Sequence, residues 1–519
     1  MTPESSHHPA FGVAAVLLGA VISTLNSRMS TIGLADVRGG LGLGFDEGSW
    51  LTTVFAAAQI MVVPAVAALS AALGPRRVML WATLTFAAAS LLLPFARDYG
   101  VVMTLQFIRG FAIGAYIPAA LPFIMRFLPP GWVMWGIAAY AFRFVFSQNI
   151  GVSVEAWLND NRGWEWIFWH DVALAPLLVA LIWYGMPRLP VDAAALRHMD
   201  WWGMIFLGLG LGLINAGLDQ GNRLDWLHSG VVVGLLSSGL LLVAAFAVNE
   251  VLVDRPLVRL SILSNRSITT ALLLLGVYSL GVQGSAYLIP QFLTTVQLLR
   301  PLQIGPALTW IALPQFVLIP LTALLIRVVD ARLVFAMGLA ILALGSWFST
   351  GLTDEWIAET FQRSQAWEAV GLAFSITALI FYTVSNTTPA DALTIGVLIQ
   401  AMRLFGSEIT TAFIQTYVRV REQVDSNLLG LNIREGAELT NRQIAALAAD
   451  FASRSNGLAE ASARGIGTLS AVVRREANVL AFIDGFWMVA TVLLGGMLLI
   501  VLLRRPPPNP FTPPRLRQG

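Results

Sequence analysis

The sequence predicts an all-α polytopic membrane protein with about fourteen transmembrane helices. Three observations predict it: an apolar, charge-poor composition along the whole chain, a succession of stretches long enough to cross a bilayer, and an internal repeat that sorts those stretches into six, two and six.

Of 519 residues, 56% are hydrophobic and 12% charged, and the mean hydropathy is +0.71. A soluble domain carries roughly 25% charged residues. Half that proportion leaves too little polar surface to cover a water-soluble fold of this size, so the apolar excess must face lipid. Cysteine is absent, which excludes disulfides, thiol catalysis and thiolate metal sites. All 32 basic residues are Arg, and the net charge of +2 leaves no footprint for nucleic acid.

A span needs roughly 17–25 apolar residues. Such stretches fall at 11–35, 49–72, 77–96, 100–127, 132–157, 165–186, 201–218, 229–252, 268–298, 302–328, 332–352, 367–387, 391–418 and 479–503. The first continues past signal-peptide length and contains Asn26 and Arg28, so it reads as a transmembrane helix. The ninth is long enough to include a tilted or broken end. Pro64, Pro118, Pro122, Pro176, Pro290, Pro314 and Pro320 lie inside spans, where neighbouring helices can satisfy the freed backbone. Arginine in short loops orients the chain. Arg76, Arg77, Arg126, Arg188, Arg197, Arg255, Arg259, Arg266 and Arg332 fall on one side with the tail arginines Arg504, Arg505, Arg515 and Arg517, which predicts cytoplasmic termini. Segment 419–478 is polar, Ala-rich and external, with apolar residues at the spacing of one or two amphipathic helices. The Pro-rich tail 504–519 reads as disordered.

Residues 59–64 read QIMVVP and 315–320 read QFVLIP, at an offset of 256; Arg143 to Ser147 resembles Arg403 to Ser407 at an offset of 260. These matches pair span two with ten and five with thirteen. The organisation expected is a cytoplasmic N-terminus (1–10), a six-helix half (11–186), a linker (187–200), an inserted pair (201–252), a second six-helix half (268–503) and a cytoplasmic tail. Parallel halves of this kind bind substrate between them, near the midplane.

At these residues the chain resembles the fourteen-helix drug:proton antiporter branch, EmrB/QacA type, of the major facilitator superfamily. Residues 25–36 (LNSRMSTIGLAD) are similar to the branch's LDxTIVNVALP, with Asn26 where the branch has an Asp. Gly74, Arg76 and Arg77 keep the end of a GxxxDRxGRR loop. In span four, Gln106, Arg109, Gly110, Gly114 and Pro118 match RxxQGxxxGxxxP, with Gln and Arg exchanged. Gly151 begins a degenerate GPxxGG, and residues 164–168 (WEWIF) match WxWIF. The resemblance implies a major facilitator fold, alternating access, residence in a bacterial inner membrane, a small organic substrate exchanged for protons, no cofactor, and a periplasmic adaptor with an outer-membrane channel as partners. It implies a structural or gating role for Gly74, Arg76, Arg77, Gly110, Gly114, Pro118 and Gly151, while the repeat relation of Arg143 and Arg403 suggests a shared packing role in both halves.

An ionisable residue inside a membrane helix is a functional hypothesis by default. Helix rise puts Arg109 and Arg143 near the midplane, and Arg28, Glu155, His170, Asp171, Glu408 and Asp484 in the outer half. Arg109 could bind an anionic or amphipathic substrate, or be bonded structurally to helix-end carbonyls or a buried acid. Glu155 is the first candidate for proton coupling, through a pairing with Arg28 in one state; Glu408 is the second. Asp484, His170 and Asp171 read as ordinary solvated residues near the interface. Asn26, Gln59, Gln106, Arg109, Gln148, Gln283, Gln315 and Tyr382 are candidates to line a central cavity, although polar side chains also join helices. Tryptophans at span ends form an aromatic belt. The Gly-Leu alternation from Gly208 lies inside an apolar span and is helix-packing sequence; there is no P-loop, no metal-ligand cluster and no enzyme signature. The function expected is a proton-coupled exporter of amphipathic or aromatic compounds. The alternatives are a facilitator-type importer of an organic anion and a non-transporting scaffold or sensor.

Overall fold

Hydrocarbon offers no partners for backbone N–H and C=O groups, so a spanning chain must satisfy them within each helix. The computed structural model describes residues 8–505, apart from 254–255, 259, 388–391, 432, 434–436, 450 and 452–457. No β-strand occurs among the described residues. Arg255, Arg259, Arg515, Arg517 and most of the expected disordered tail lie outside them.

The long helices follow in order: α1 (Pro9–Ile32), α2 (Phe45–Met61 and Val63–Leu73), α3 (Pro75–Leu92), α4 (Tyr99–Ile113 and Tyr116–Phe127), α5 (Pro130–Arg162), α6 (Trp166–Gly185), α7 (Trp201–Gly221), α8 (Gly230–Leu252), α9 (Arg266–Thr295), α10 (Pro301–Ala312 and Gln315–Leu325), α11 (Ala331–Ser349), α12 (Gln362–Ser385), α13 (Ala392–Gly430) and α14 (Leu458–Ile500). Among the described residues, thirteen helices are long and apolar enough to cross a membrane. The one at an expected position that misses this measure is α5. Its 33 residues reach roughly 50 Å, but Arg143, Gln148, Asn149 and Glu155 lower its hydropathy. The expected count of fourteen therefore stands at thirteen by length and hydropathy, with α5 as a further long helix in sequence.

Proline sets the breaks, because its ring lacks an N–H and clashes with the preceding turn. α2 breaks at Val62 ahead of Pro64, α10 at Leu313 and Pro314, and α9 contains a π-helical turn, Gly284–Leu288, just before Pro290.

α1 packs on α5 and α6, α3 on α4 and α6, and α2 on α4. Eight helices later, α9 packs on α13 and α14, α11 on α12 and α14, and α10 on α12. The two sets meet where α5 runs along α10, with Phe316 4.7 Å from Phe142 and 5.4 Å from Phe146 between ring centroids, and where α13 meets α2 and α4. α7 lies against α2 and α13 and carries α8 on its outer side. Glycine lets α7 approach α2 closely: a Cβ on Gly208 would stand 2.4 Å from the Met61 carbonyl oxygen. We call the face where α1 begins the entry face and the opposite one the far face.

Segment 419–478 differs from the expected loop. Most of it continues α13 and α14, which run for 39 and 43 residues. Each is about 60 Å long, twice the hydrocarbon thickness of about 30 Å. One separate helix, Glu438–Ala449, lies on α14. The Ala-rich sequence favours helix, and the pairs Arg442–Glu438 and Arg464–Glu460 support it at i,i+4 spacing. Arg421 on α13 bonds Asp484 on α14 and ties the two extensions together.

Gly110 fixes the approach of α4 to α2: a Cβ there would stand 2.3 Å from the Phe55 carbonyl oxygen, whereas Gly234 on α8 has nothing within 4 Å. Gly110→Leu is expected to destabilise the chain by about 1–3 kcal/mol. Thermal unfolding in detergent should show a lower midpoint for Gly110→Leu and an unchanged one for Gly234→Leu.

Candidate functional site

Arg109 on α4 is fully buried and has no access to water. Its guanidinium finds four acceptors. Nη2 donates to Asp171 Oδ2 on α6 at 2.9 Å and to Asn26 Oδ1 on α1 at 2.6 Å; Nη1 donates to Gln106 Oε1 at 2.6 Å and Nε to Ser90 Oγ on α3 at 2.8 Å. Asp171 also accepts from Asn26 Nδ2 at 2.7 Å and Ser90 Oγ at 3.1 Å, and His170 Nε2 lies 3.0 Å from its Oδ1. Phe168, Phe55 and Phe86 wall the guanidinium at 4.6, 5.3 and 5.5 Å. The node joins four helices and sits towards the far face, since Ser90 is two residues from the end of α3 and Asn26 six from the end of α1.

This corrects three expectations. Arg109, Gln106 and Asn26 do not line the central cavity, and Arg109 lies beyond the midplane. Asp171 is 2% exposed, not solvated, because the face of α6 that carries it packs on α1 and α3. Gln106 and Arg109 are one turn apart on a single face, so exchanging them moves the charge without turning it away. With Asn26 in place of the branch's Asp, the partner carboxylate comes from α6.

A central cavity of about 220 Å³ lies between the two sets of helices. Arg28, Ser27 and Thr31 of α1, Thr52 and Gln59 of α2, Gln148 of α5, Asn215 and Asp219 of α7, and Arg403 and Glu408 of α13 line it with Phe55, Ile60, Ile117 and Phe144. A site for a drug-sized ligand occupies roughly 300–1,000 Å³, and this space is smaller. Arg28 bridges it: Nε donates to the Gln148 carbonyl at 3.1 Å, and Nη2 reaches across to the Ala286 carbonyl of α9 at 3.0 Å. Arg403 donates to Gln400 Oε1 at 3.2 Å and stacks on Phe144 at 4.9 Å. Arg143 stacks on Tyr140 at 4.4 Å and reaches Thr24 at 3.2 Å. None of these three arginines has a carboxylate partner among the described residues. The Thr53 hydroxyl donates to Asp219, Asn215 stands beside Glu408, and the two carboxyls are close enough for their charges to interact.

The other expected residues are placed as follows. Glu155 is fully buried with no hydrogen-bond partner among the described residues, packed on Gly33, and is not paired with Arg28 in this arrangement. Arg28 instead lies against Gly151, one turn away on α5, where a Cβ would stand 3.0 Å from Arg28 Cβ. Of the remaining cavity candidates, Gln283 joins α9 to α13 through Thr411 at 2.7 Å, Gln315 bonds the Ala369 carbonyl of α12 at 3.1 Å, and Tyr382 bonds the Arg504 carbonyl at the entry face. These three do not line the cavity. Gly74 has φ +86°, and Arg77 holds the turn it makes by donating to the carbonyls of Leu73 and Leu189 at 2.9 and 3.0 Å; Arg76 stacks on Trp183 at 4.1 Å. Gly114 presses α4 on Gln59 of α2, and Pro118 follows the break in α4. Sequence reasoning missed Asp219 and Glu368, which the predicted span edges at 218 and 367 left at the membrane border.

Removing one partner of a buried ion pair leaves an uncompensated charge and costs about 3–5 kcal/mol. Asp171→Asn and Arg109→Met are each expected to lower the unfolding midpoint strongly. The double variant should lose less than the sum of the two, and additive losses would show that the pair is not coupled.

Residues 16–411 match the profile described as Major Facilitator Superfamily. The chain is similar to the multidrug export protein EmrB of Escherichia coli (strain K12), at 22% identity over 489 residues and 92% of each chain. It is similar to the fatty acid resistance protein FarB of Neisseria gonorrhoeae, at 23% identity over 406 residues, 78% of this chain and 80% of that one. In structure it resembles the human organic anion transporter MFSD10 (TETRAN), with a TM-score of 0.56 at 12% identity, covering 95% of this chain and 100% of that one. The helix order, the recurring packing and the match over residues 16–411 assign the chain to the Major Facilitator Superfamily, as a membrane transporter similar to the EmrB multidrug exporters.

Proposed function

We propose that the chain is a proton-coupled exporter of amphipathic or aromatic organic compounds, working by alternating access between two six-helix halves with α7 and α8 as an inserted pair. The observation that carries this reading is the cavity between the two sets of helices, where the carboxyls of Asp219 and Glu408 share a site with Arg28 and Arg403. Two nearby carboxyls resist simultaneous ionisation, so the site suits exchange of a proton for an amphipathic cation. A proton entering from the far face neutralises the pair, and substrate entering from the entry face displaces it. Phe55, Phe144, Ile60 and Ile117 supply the apolar wall for the rest of such a molecule. Glu155 sits between the far face and the cavity, one turn along α5 from the Arg28 contact, and we assign it to the proton's route.

The similarity to the EmrB multidrug exporters and the FarB fatty acid resistance protein supports efflux, and the arginine distribution supports cytoplasmic termini in a bacterial inner membrane. In that orientation the extensions of α13 and α14 rise into the periplasm, where their length suits docking of an adaptor protein leading to an outer-membrane channel. Arg28 and Arg403, which lack carboxylate partners, favour a second reading, uptake of an organic anion.

Purified protein in proteoliposomes with an imposed pH gradient and a cationic fluorescent dye tests the proposal. Dye should move against the proton flux. Glu408→Gln and Asp219→Asn should each slow it about tenfold or more, equivalent to roughly 1.4 kcal/mol. Glu155→Gln should abolish gradient-driven movement while leaving expression normal, and full retained activity would remove it from the route. Movement of an organic anion with no dye transport would favour the second reading.

A further inference from the structure

α12 holds a carboxyl that the proposed exchange does not use. Glu368 is 1% exposed, and neither of its oxygens has a hydrogen-bond partner among the described residues. The Ser285 hydroxyl lies beside it but donates to the Val282 carbonyl at 3.2 Å. The carboxyl is wedged between glycines: a Cβ on Gly284 would stand 3.1 Å from its Oε1, and one on Gly345 2.8 Å from its Cγ. Charge does not reach it from the helices packed on α12. α10 carries no charged residue, and Arg332 of α11 is at the other end, paired with Asp330 at 2.9 Å. The titratable groups along α9 are Arg266, Tyr278 and Tyr287, and those along the buried part of α5 are Tyr140, Arg143 and Glu155; none of them bonds to Glu368.

The internal repeat says what this position is. Glu368 stands at offset 259 from Arg109, Ser285 at offset 259 from Asn26, and Ser346 at offset 256 from Ser90. At these offsets the second set of helices places an acid where the first has its buried arginine, with Ser285 beside it and Ser346 across Gly284. An ionised carboxylate with no partner in hydrocarbon is strongly disfavoured, so the arrangement seen here suits the protonated form. Ionisation would favour opening the seam at Gly284 and Gly345 to donors or water. That seam is the π-helical turn of α9, and its Ala286 carbonyl is the acceptor that Arg28 holds from across the cavity at 3.0 Å. Such π-turns recur at functional sites because they free backbone groups.

We propose that Glu368 is a proton-binding site, separate from the cavity carboxyls, whose protonation latches the α9 turn to Arg28 and holds the far face closed. The proposal rests on the reading of the chain as moving between two arrangements, but it needs no substrate. The chain has no cysteine, so Phe45→Cys and Leu298→Cys, both exposed at the far face on opposite sets of helices, accept spin labels uniquely. Electron–electron distance measurements on the full chain in lipid nanodiscs should give a single short distance at acidic pH and a growing long component at alkaline pH. Glu368→Gln, a neutral mimic, should lose the long component at every pH. Glu368→Asp should keep the pH response, which a purely packing role would not predict. A Glu368→Gln protein that unfolds at the same temperature as the labelled parent and titrates like it would overturn the inference, as would a parent whose distance ignores pH. A parent that opens with pH and responds to Glu368→Gln, yet moves no dye in proteoliposomes, would sink the export reading and leave this one standing.

Discussion

An arginine with no route to water must be fully bonded where it stands, and the first six helices are arranged around that requirement at Arg109. Its four acceptors come from α1, α3, α4 and α6, so no one of these helices can shift without leaving a donor unpaired in a medium where that is costly. The phenylalanines around it exclude water and strengthen every contact inside. The result is a rigid block. α2 is seated on it by Gly110 and presents Gln59, Phe55 and Thr52 to the cavity. A transporter that rocks needs such a block, because motion confined to an interface requires stiffness elsewhere.

The interface obeys a looser rule. Arg28, Arg143 and Arg403 are stacked on aromatic rings or bonded to carbonyl, amide and hydroxyl oxygens, and two of Arg143's three nitrogens have no partner among the described residues. Incomplete satisfaction of buried cations is costly in a fixed core. It is useful where helices must part, because the contacts given up are few and the same donors can turn to a ligand or to water. The Arg28 contact with the Ala286 carbonyl is of this kind: a single charge-assisted hydrogen bond between the two sets of helices, made to a backbone oxygen that the π-turn exposes.

Much of this was legible in the sequence. Hydropathy located the long helices, and the QIMVVP and QFVLIP matches anticipated the packing that recurs eight helices apart. Arg28, Gln59, Gln148 and Glu408 were read as polar residues inside spans and do line the cavity. The acids at span ends were not legible, for a physical reason. A hydropathy window falls when it meets a carboxylate, so a buried acid near a helix end pulls the predicted boundary inward and hides itself. Asp219 fell one residue outside the predicted seventh span, and Glu368 sat at the first turn of the twelfth, yet both helices continue beyond them. Asp171 was inside its span and was discounted for its nearness to the interface. What decides its burial is the face of α6 it occupies, which hydropathy does not encode. Segment 419–478 misled in the opposite sense, because polar composition marks exposure to water and says nothing about where a helix stops.

The exchanged letters in span four carry a broader argument. Read as a motif, Gln106 and Arg109 look like decay, and Asn26 looks like the loss of a charge. Placed in three dimensions, they form a buried cation with a buried anion. The cation stands one helical turn along the same face from the motif position, the anion comes from α6, and Asn26 bonds both. The constraint acts on the neutrality and satisfaction of the node, and residue identity at any one position follows from it. Glu368 is the counterpart case: at the repeat-related sequence position stands an acid with no hydrogen-bond partner among the described residues, and neutrality there is met by a proton or by movement.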